Sequence, residues 1–420
     1  MEPSDRNLLT WVPWYARPGT LHSLRYRDWS LLWMSGHTSY LTFWMDLLVL
    51  GWLMLELTGS PIMVSLVGSA RILLLGIMGP IAGFLGDVFS KKRILVIAQL
   101  LAIFTTGTLA IIMFLGTLEV WHVYLSAFMM GLAWSMHLPV RLSLTRDLVP
   151  EESIVNAMSL NGASLQGMSM TGRFVGGVIL AVFGAHVAYA FLLFNYLLGL
   201  ALLLKISDLH KVPNGAIGSL SIVAGLKEGM HYCLGSPAIR GVLLVTVIFN
   251  LLVIPYFQLT SVFAKDILEV GPALLGLMTS MEGLGALLAA VALATAHNIR
   301  RLGLVFIVGT LTASVGVFLF SISQVYALSL VFLLFAGFGM GGFVTAQVAI
   351  PTAVASAYVR SRVMGVTVMA MGTMPIGMAL LGYLTSLTGP SLALAMTTLF
   401  CALALLAVSA FQPGLRNFST

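Results

Sequence analysis

Long apolar runs of about 20 residues or more follow one another through this chain, with only short polar or glycine-rich turns between them. A run of that length spans the hydrocarbon core of a bilayer as a helix. Amides in hydrocarbon need partners within the protein, so a spanning segment is either a helix or a strand of a closed barrel. Barrel strands alternate apolar and polar residues over roughly 10 positions, and these runs do not. The chain is 59% hydrophobic and 9% charged, where soluble domains carry about 25% charged residues. The expected fold class is all-α and membrane-embedded.

Turn signals divide the chain into twelve such segments. Up to about Arg27 it is a polar, basic arm holding Pro3, Pro13 and Pro18, without the apolar core of a signal peptide. Targeting is therefore expected to fall to the first spanning segment. The segments run over about 28–57, 61–86, 94–116, 120–144, 153–183 and 185–206, then 240–263, 272–296, 301–321, 325–350, 362–386 and 390–411. The expected organisation is an arm (1–27), a six-helix bundle (28–206), a linker (207–238), a second six-helix bundle (239–412) and a tail (413–420). Within the linker, Leu220, Val223, Leu226, Met230 and Leu234 recur at helical spacing opposite Lys227 and Glu228. That pattern predicts an amphipathic helix lying in the membrane interface.

Charge supplies the orientation. Of the 21 lysines and arginines, Arg71 and Arg173 fall inside segments, and Lys265 falls beside the seventh. With twelve crossings and a cytoplasmic N-terminus the other 18, Arg141 included, lie on the cytoplasmic side, as the positive-inside rule requires. The formal charge of +6 is thus a matter of topology, and nucleic acid is not an expected partner. Cys233 and Cys401 have no CxxC spacing and no histidine at metal spacing, so neither a disulfide framework nor a metal site is expected. The halves also echo each other: superposing Pro61 on Pro272, each at a segment start, sets Arg71 on Glu282. A parallel six-helix repeat is a known transporter plan.

Ionisable groups at bilayer depth cost roughly 2.5–3.5 kcal/mol or more and mark functional positions by default. Four stand out: Asp46, Arg71, Arg173 and Glu282. Asp46 and Arg71 lie about 11 and 10 residues from the turn joining their antiparallel segments, hence at one level. They are expected to pair. Burial penalises a carboxylate's charge and a nearby guanidinium favours it, so a pair broken in one state would move a proton.

The stretch Gly83-Phe84-Leu85-Gly86-Asp87-Val88-Phe89-Ser90-Lys91-Lys92-Arg93-Ile94 resembles motif A of the major facilitator superfamily, G-x-L-A-D-R-x-G-R-K-x-L. Gly83, Leu85, Asp87, Lys91, Lys92 and Ile94 fit, with Val88 where the family often has a cation. Trp52-Leu53-Met54-Leu55-Glu56-Leu57-Thr58-Gly59-Ser60-Pro61, Arg173-Phe174-Val175-Gly176-Gly177 and Leu226-Lys227-Glu228-Gly229-Met230 are similar to the transmembrane secretion effectors, the subfamily of the enterobactin exporter. The resemblance implies two six-helix bundles about a central cavity, working by alternating access, with export more often than import. It also implies that the fifth and eighth helices meet where the halves touch, which would pair Arg173 with Glu282. Gly83, Asp87, Lys91, Lys92 and Arg93 would form a gate, with Asp87 latched to the positive end of the eleventh helix near Ser361 and Arg362.

Polar and aromatic residues in expected cavity-lining segments are candidates for substrate contact: His37, Trp44, His137, Asn161, Gln166, Asn250, Gln258 and Gln347. No Walker-type phosphate loop, G-x-S-x-G or HExxH occurs, so neither ATP hydrolysis by a P-loop nor an enzyme is expected. The expectation is a monomeric secondary transporter of the cytoplasmic membrane that exports small amphipathic compounds, drug- or siderophore-like. It needs no cofactor, and a proton gradient supplies the energy through Asp46 or Glu282. An uptake facilitator or symporter for a nutrient or lipid, and a receptor or scaffold that transports nothing, stay open at this point.

Overall fold

The structure, a computed structural model, describes residues 22–207, 222–295, 301–356, 358–416 and 418. The side chains of 75–77, 79–88, 222–226, 294–295 and 361 fall outside that description. So do most of the arm and linker, and the expected latch of Asp87 at Ser361.

The described chain is almost wholly helical: α1 Arg27–Thr58, α2 Pro61–Val88, α3 Lys91–Phe114, α4 Val120–Leu148, α5 Ile154–Leu204, α6 Ile222–Gly235, α7 Pro237–Leu252, α8 Tyr256–Val262, α9 Pro272–Thr295, α10 Leu302–Ile322, α11 Tyr326–Val354, α12 Arg360–Met371, α13 Met374–Thr388, α14 Pro390–Phe411 and α15 Pro413–Arg416. Among the described residues, ten helical stretches are long and apolar enough to cross a membrane.

Local chemistry sets the helix ends. Gly59 closes α1 in the left-handed region (φ 60°), its N–H bonding Leu55 O at 2.9 Å, and Pro61 opens α2 where its missing N–H costs nothing. Gly389 (φ 83°) bonds Thr385 O at 2.9 Å ahead of Pro390 at the start of α14. Gly184 (φ 81°, ψ 175°) breaks α5 into legs over 154–183 and 185–204. Successive helices reverse direction, so these turns gather at one end of the molecule, the glycine-turn end. Lys91, Lys92, Arg93 and Lys205 collect at the other, where Lys91 Nζ meets Asp147 at 2.6 Å and Lys92 Nζ donates to Ile206 O at 2.6 Å. The conformation of Gly184 is open essentially to glycine alone and strains other residues by about 1–3 kcal/mol. Gly184→Ala is expected to lower the apparent melting temperature of the detergent-solubilised protein, and an unchanged melting curve would contradict this assignment.

Several segment boundaries move. The segment expected over 240–263 is broken between α7 and α8 at Pro255, which lacks an N–H and clashes with the preceding turn. The one over 362–386 breaks at Gly372–Thr373, ahead of Pro375. Helix α4 runs on to Leu148, past the expected Leu144. The linker helix α6 is not simply laid in the interface: Met230, Tyr232 and buried Cys233 pack with Val359, Val363 and Val366 of the α12 region. Of the expected stripe, Met230 joins this contact and Leu234 is exposed.

Within residues 27–204, α1 packs on α5, α2 on α4, and α3 on α4 and α5. Within 237–411, α9 packs on α11, α10 on α11 and α14, and α7 on α13 and α14. The two groups repeat one frame. Gly131 of α4 lies against the carbonyl of Arg71, and Gly337 of α11 lies against the carbonyl of Glu282, with no room for a Cβ at either. Gly172 of α5 meets Leu41 O, and Gly377 of α13 meets Leu251 O, in the same way. The groups join through α5 on α9, α2 on α13, and α8 against α1 and α2. These joins are made in the glycine-turn half: Ser280 Oγ donates to Met170 O at 2.9 Å, Ser69 Oγ to Pro375 O at 3.1 Å, and Gln258 Nε2 to Val64 O at 2.9 Å. Toward the basic end, a Cβ built on Gly162, Gly167 or Gly365 meets no described atom within 4 Å. Among the described residues, the hydrogen bonds between the groups lie in the glycine-turn half.

Candidate functional site

Two ion pairs occupy the middle of the bundle. Arg71 Nη1 donates to Asp46 Oδ2 at 2.6 Å, with both side chains 2% exposed. The Tyr189 hydroxyl donates to Asp46 Oδ1 at 2.8 Å, and the Phe43 ring lies 4.5 Å from the guanidinium carbon. This pair is contained within the first helix group. The second crosses between groups: Arg173 Nη1 on α5 donates to Glu282 Oε2 on α9 at 3.0 Å and to Thr279 O at 3.1 Å. The indole of Trp44 lies 4.4 Å from the Arg173 guanidinium carbon, a cation–π contact.

Trp44, Gly51, Arg173, Gln258, Ser261, Thr279 and Glu282 line a cavity of about 20 Å³ at this junction, space on the scale of one water. Trp44 Nε1 and Gln258 Oε1 are buried there without a hydrogen-bond partner among the described residues. A carboxylate, its guanidinium and two unused polar groups around such a space can exchange a proton or hold a small polar group.

The other sequence candidates scatter. Gln258 joins the Arg173–Glu282 site, whereas Gln347 Nε2 and Asn250 Nδ2 both turn to Thr246, at 3.0 and 2.8 Å. His37 bonds the Trp33 carbonyl through Nδ1 at 3.0 Å and meets the Trp33 ring edge-on. Gln166 is half-buried on α5, and its backbone carbonyl accepts from Ser169. Asn161 accepts the Tyr40 hydroxyl at 2.9 Å. Lys91 and Lys92 make the contacts given above, and Arg93 is exposed. The side chain of Asp87 lies outside the described residues, while Arg362 pairs with Glu228 of α6 and lies 4.8 Å from the Tyr358 ring.

Arg141 is the main correction. Counted above among the cytoplasmic charges, it is 1% exposed inside the first helix group. Its Nη1 donates to Leu32 O at 2.5 Å, and its Nη2 contacts Ser35 Oγ at 3.2 Å and His137 Nε2 at 3.0 Å. The rotation of α4 turns this position toward Leu32 and Ser35 of α1. Tyr189 and Thr279 were not singled out by sequence, because a tyrosine or threonine in an apolar helix carries no mark of what it faces.

Comparison with known proteins follows the same lines. The model of the transmembrane secretion effector family matches residues 18–418. An uncharacterised MFS-type transporter of Bacillus subtilis, YfiS, is 26% identical over 265 residues, which are 61% of this chain and 60% of that protein. Macrolide efflux protein A of Streptococcus pyogenes is 28% identical over 149 residues, which are 34% of this chain and 36% of that one. The chain thus matches less than two thirds of the length of either curated relative. Among solved structures, the peptide transporter POT superposes with a TM-score of 0.77 at 14% identity, covering 93% of this chain and 95% of that one. The nucleoside transporter NupG gives 0.72 at 14% identity, covering 91% and 99%. These two show a shared fold. With the family model spanning nearly the whole sequence, the chain belongs to the transmembrane secretion effector family of major facilitator transporters.

Proposed function

We propose that this transporter is a proton-coupled exporter of small amphipathic compounds, working by alternating access in the cytoplasmic membrane as a monomer. Twelve crossings follow when the two legs of α5 and the whole of α2 are each counted as spans. Both chain ends then face the cytoplasm, with bundles over 28–206 and 239–412 joined by the linker 207–238. On that topology the basic end is cytoplasmic, and the conformation described is closed to the outside and open inward. The motif around Gly83 and Asp87 would seal the basic end in the opposite state.

One observation carries the coupling: the Arg173–Glu282 pair is made between the two helix groups, beside a small cavity that Trp44 and Gln258 also line. Motion that parts the groups there removes the guanidinium that favours the charged form of Glu282 and opens a water path by which a proton can reach it. Asp46, paired within one group, is the second coupling candidate. The partial match to a macrolide efflux protein supports export. The test is flux of a compound panel in proteoliposomes with and without an imposed pH gradient. Gradient-stimulated export is expected for the amphipathic members, and flux indifferent to the gradient removes proton coupling.

A further inference from the structure

We infer that Arg141 makes the pathway selective for anionic amphipathic cargo, a substrate class that deepens the exporter reading and rests on it. The buried arginines and carboxylates of the central bundle do not balance. Arg71, Arg141 and Arg173 are buried there, while Asp46 and the partly buried Glu282 are the carboxylates that meet them. Two pairs form, and Arg141 is left over: among the described residues no carboxylate comes within ion-pair distance of it. Its contacts are a carbonyl, a hydroxyl and an imidazole, none of which carries a negative charge. Guanidinium cannot shed its proton in a protein, so the surplus positive charge is permanent.

The surroundings fit a ligand with a negative head and an aromatic or apolar body. Arg141 Nε and His137 Nδ1 are buried donors or acceptors without a partner among the described residues. Gly36 lets the guanidinium lie against α1, where a Cβ would stand 2.9 Å from Nη1. Tyr40, Phe43 and Trp134 form a continuous aromatic wall beside it, with Phe43 and Trp134 ring centres 4.1 Å apart. Tyr40 is tied to Asn161, the neighbour of Gly162, and a Cβ on Gly162 meets no described atom. A small cavity lined by Ser39, Gln99, Trp134, His137 and Tyr196 lies beside the cluster.

A matched probe pair tests this: anilinonaphthalene sulfonate, and phenylnaphthylamine, which has the same ring system without the sulfonate. Binding to the purified full-length protein is read by energy transfer from tryptophan, and export is read in proteoliposomes. The wild type is expected to bind the sulfonate roughly tenfold more tightly than the neutral amine. Arg141→Gln should remove that preference while leaving the amine unchanged, and Arg141→Lys should retain part of it. Equal binding of the two probes by the wild type overturns the inference without any variant. So does a folded Arg141→Gln protein that loses both probes alike, or neither. The outcomes separate from those of the coupling reading. A sulfonate preference without gradient dependence sinks only the coupling, and gradient dependence without the preference sinks only the anion selectivity.

Discussion

Glu282→Gln is expected to abolish gradient-driven flux in a protein that still folds. Glutamine keeps the length of the side chain and removes its charge, leaving Arg173 with the Thr279 carbonyl and the Trp44 ring as neighbours. Removing one member of a buried pair costs about 3–5 kcal/mol. Partial exposure, 9% for Arg173 and 14% for Glu282, places this site toward the lower end. That cost falls on the conformation in which α5 and α9 meet, so the balance between conformations shifts by roughly a hundredfold. The same change removes the proton-accepting group. Flux under an imposed pH gradient should fall to the background of empty vesicles. Asp46→Asn is the companion, since it leaves Arg71 unpaired within one group. Undiminished gradient-driven flux in both variants would refute a coupling role for either carboxylate.

The second large effect is mechanical. Gly177 and Gly276 let α5 and α9 touch backbone to backbone: a Cβ on Gly276 would stand 2.7 Å from the Arg173 carbonyl and 3.0 Å from the Cα of Gly177. The atoms in the way are main chain and cannot turn aside. Gly276→Leu therefore wedges the glycine-turn end open, at a cost of about 1–3 kcal/mol or more to the closed arrangement and little to either group alone. Export should fall about tenfold for each 1.4 kcal/mol. A cysteine placed at Ser69, whose hydroxyl bonds the Pro375 carbonyl where α2 meets α13, the other join at that end, should become reactive to an aqueous maleimide. The native Cys233 and Cys401 are buried and give a low background. Wild-type flux and labelling in Gly276→Leu would show that this seam does not open during transport.

Much of the frame is readable in the sequence because lipid imposes a coarse requirement, and run length alone answers it. The level shared by Asp46 and Arg71 follows from counting residues to a common turn, since an α-helix converts count to depth without tertiary knowledge. Arg173 and Glu282 are different. Their segments are far apart in the chain, and only the likeness to a known fold brings them together. Arg141 was misplaced because proximity to a helix end is ambiguous: the same position can face headgroups or the bundle, and the rotation of α4 decides. The docking of α6 on α12 was missed for a related reason. An amphipathic stripe declares that something apolar covers it, without saying whether lipid or protein does so.

The repeated frame leads to an asymmetry. Gly131 against Arg71 and Gly337 against Glu282 are the same joint built twice, so positions 71 and 282 are counterparts bearing opposite charge. Aligning the Leu41 and Leu251 contacts likewise sets Asp46 opposite Tyr256. One socket closes on a carboxylate of its own body; its counterpart reaches into the other body for an arginine. The first pair is a rivet, which a rigid motion of one body against the other would leave unchanged, and the second is a clasp, which such a motion would have to undo. Among the described residues, duplicated architecture thus leaves one ion pair bridging the two bodies, and they cannot be exchanged for one another although their frames match.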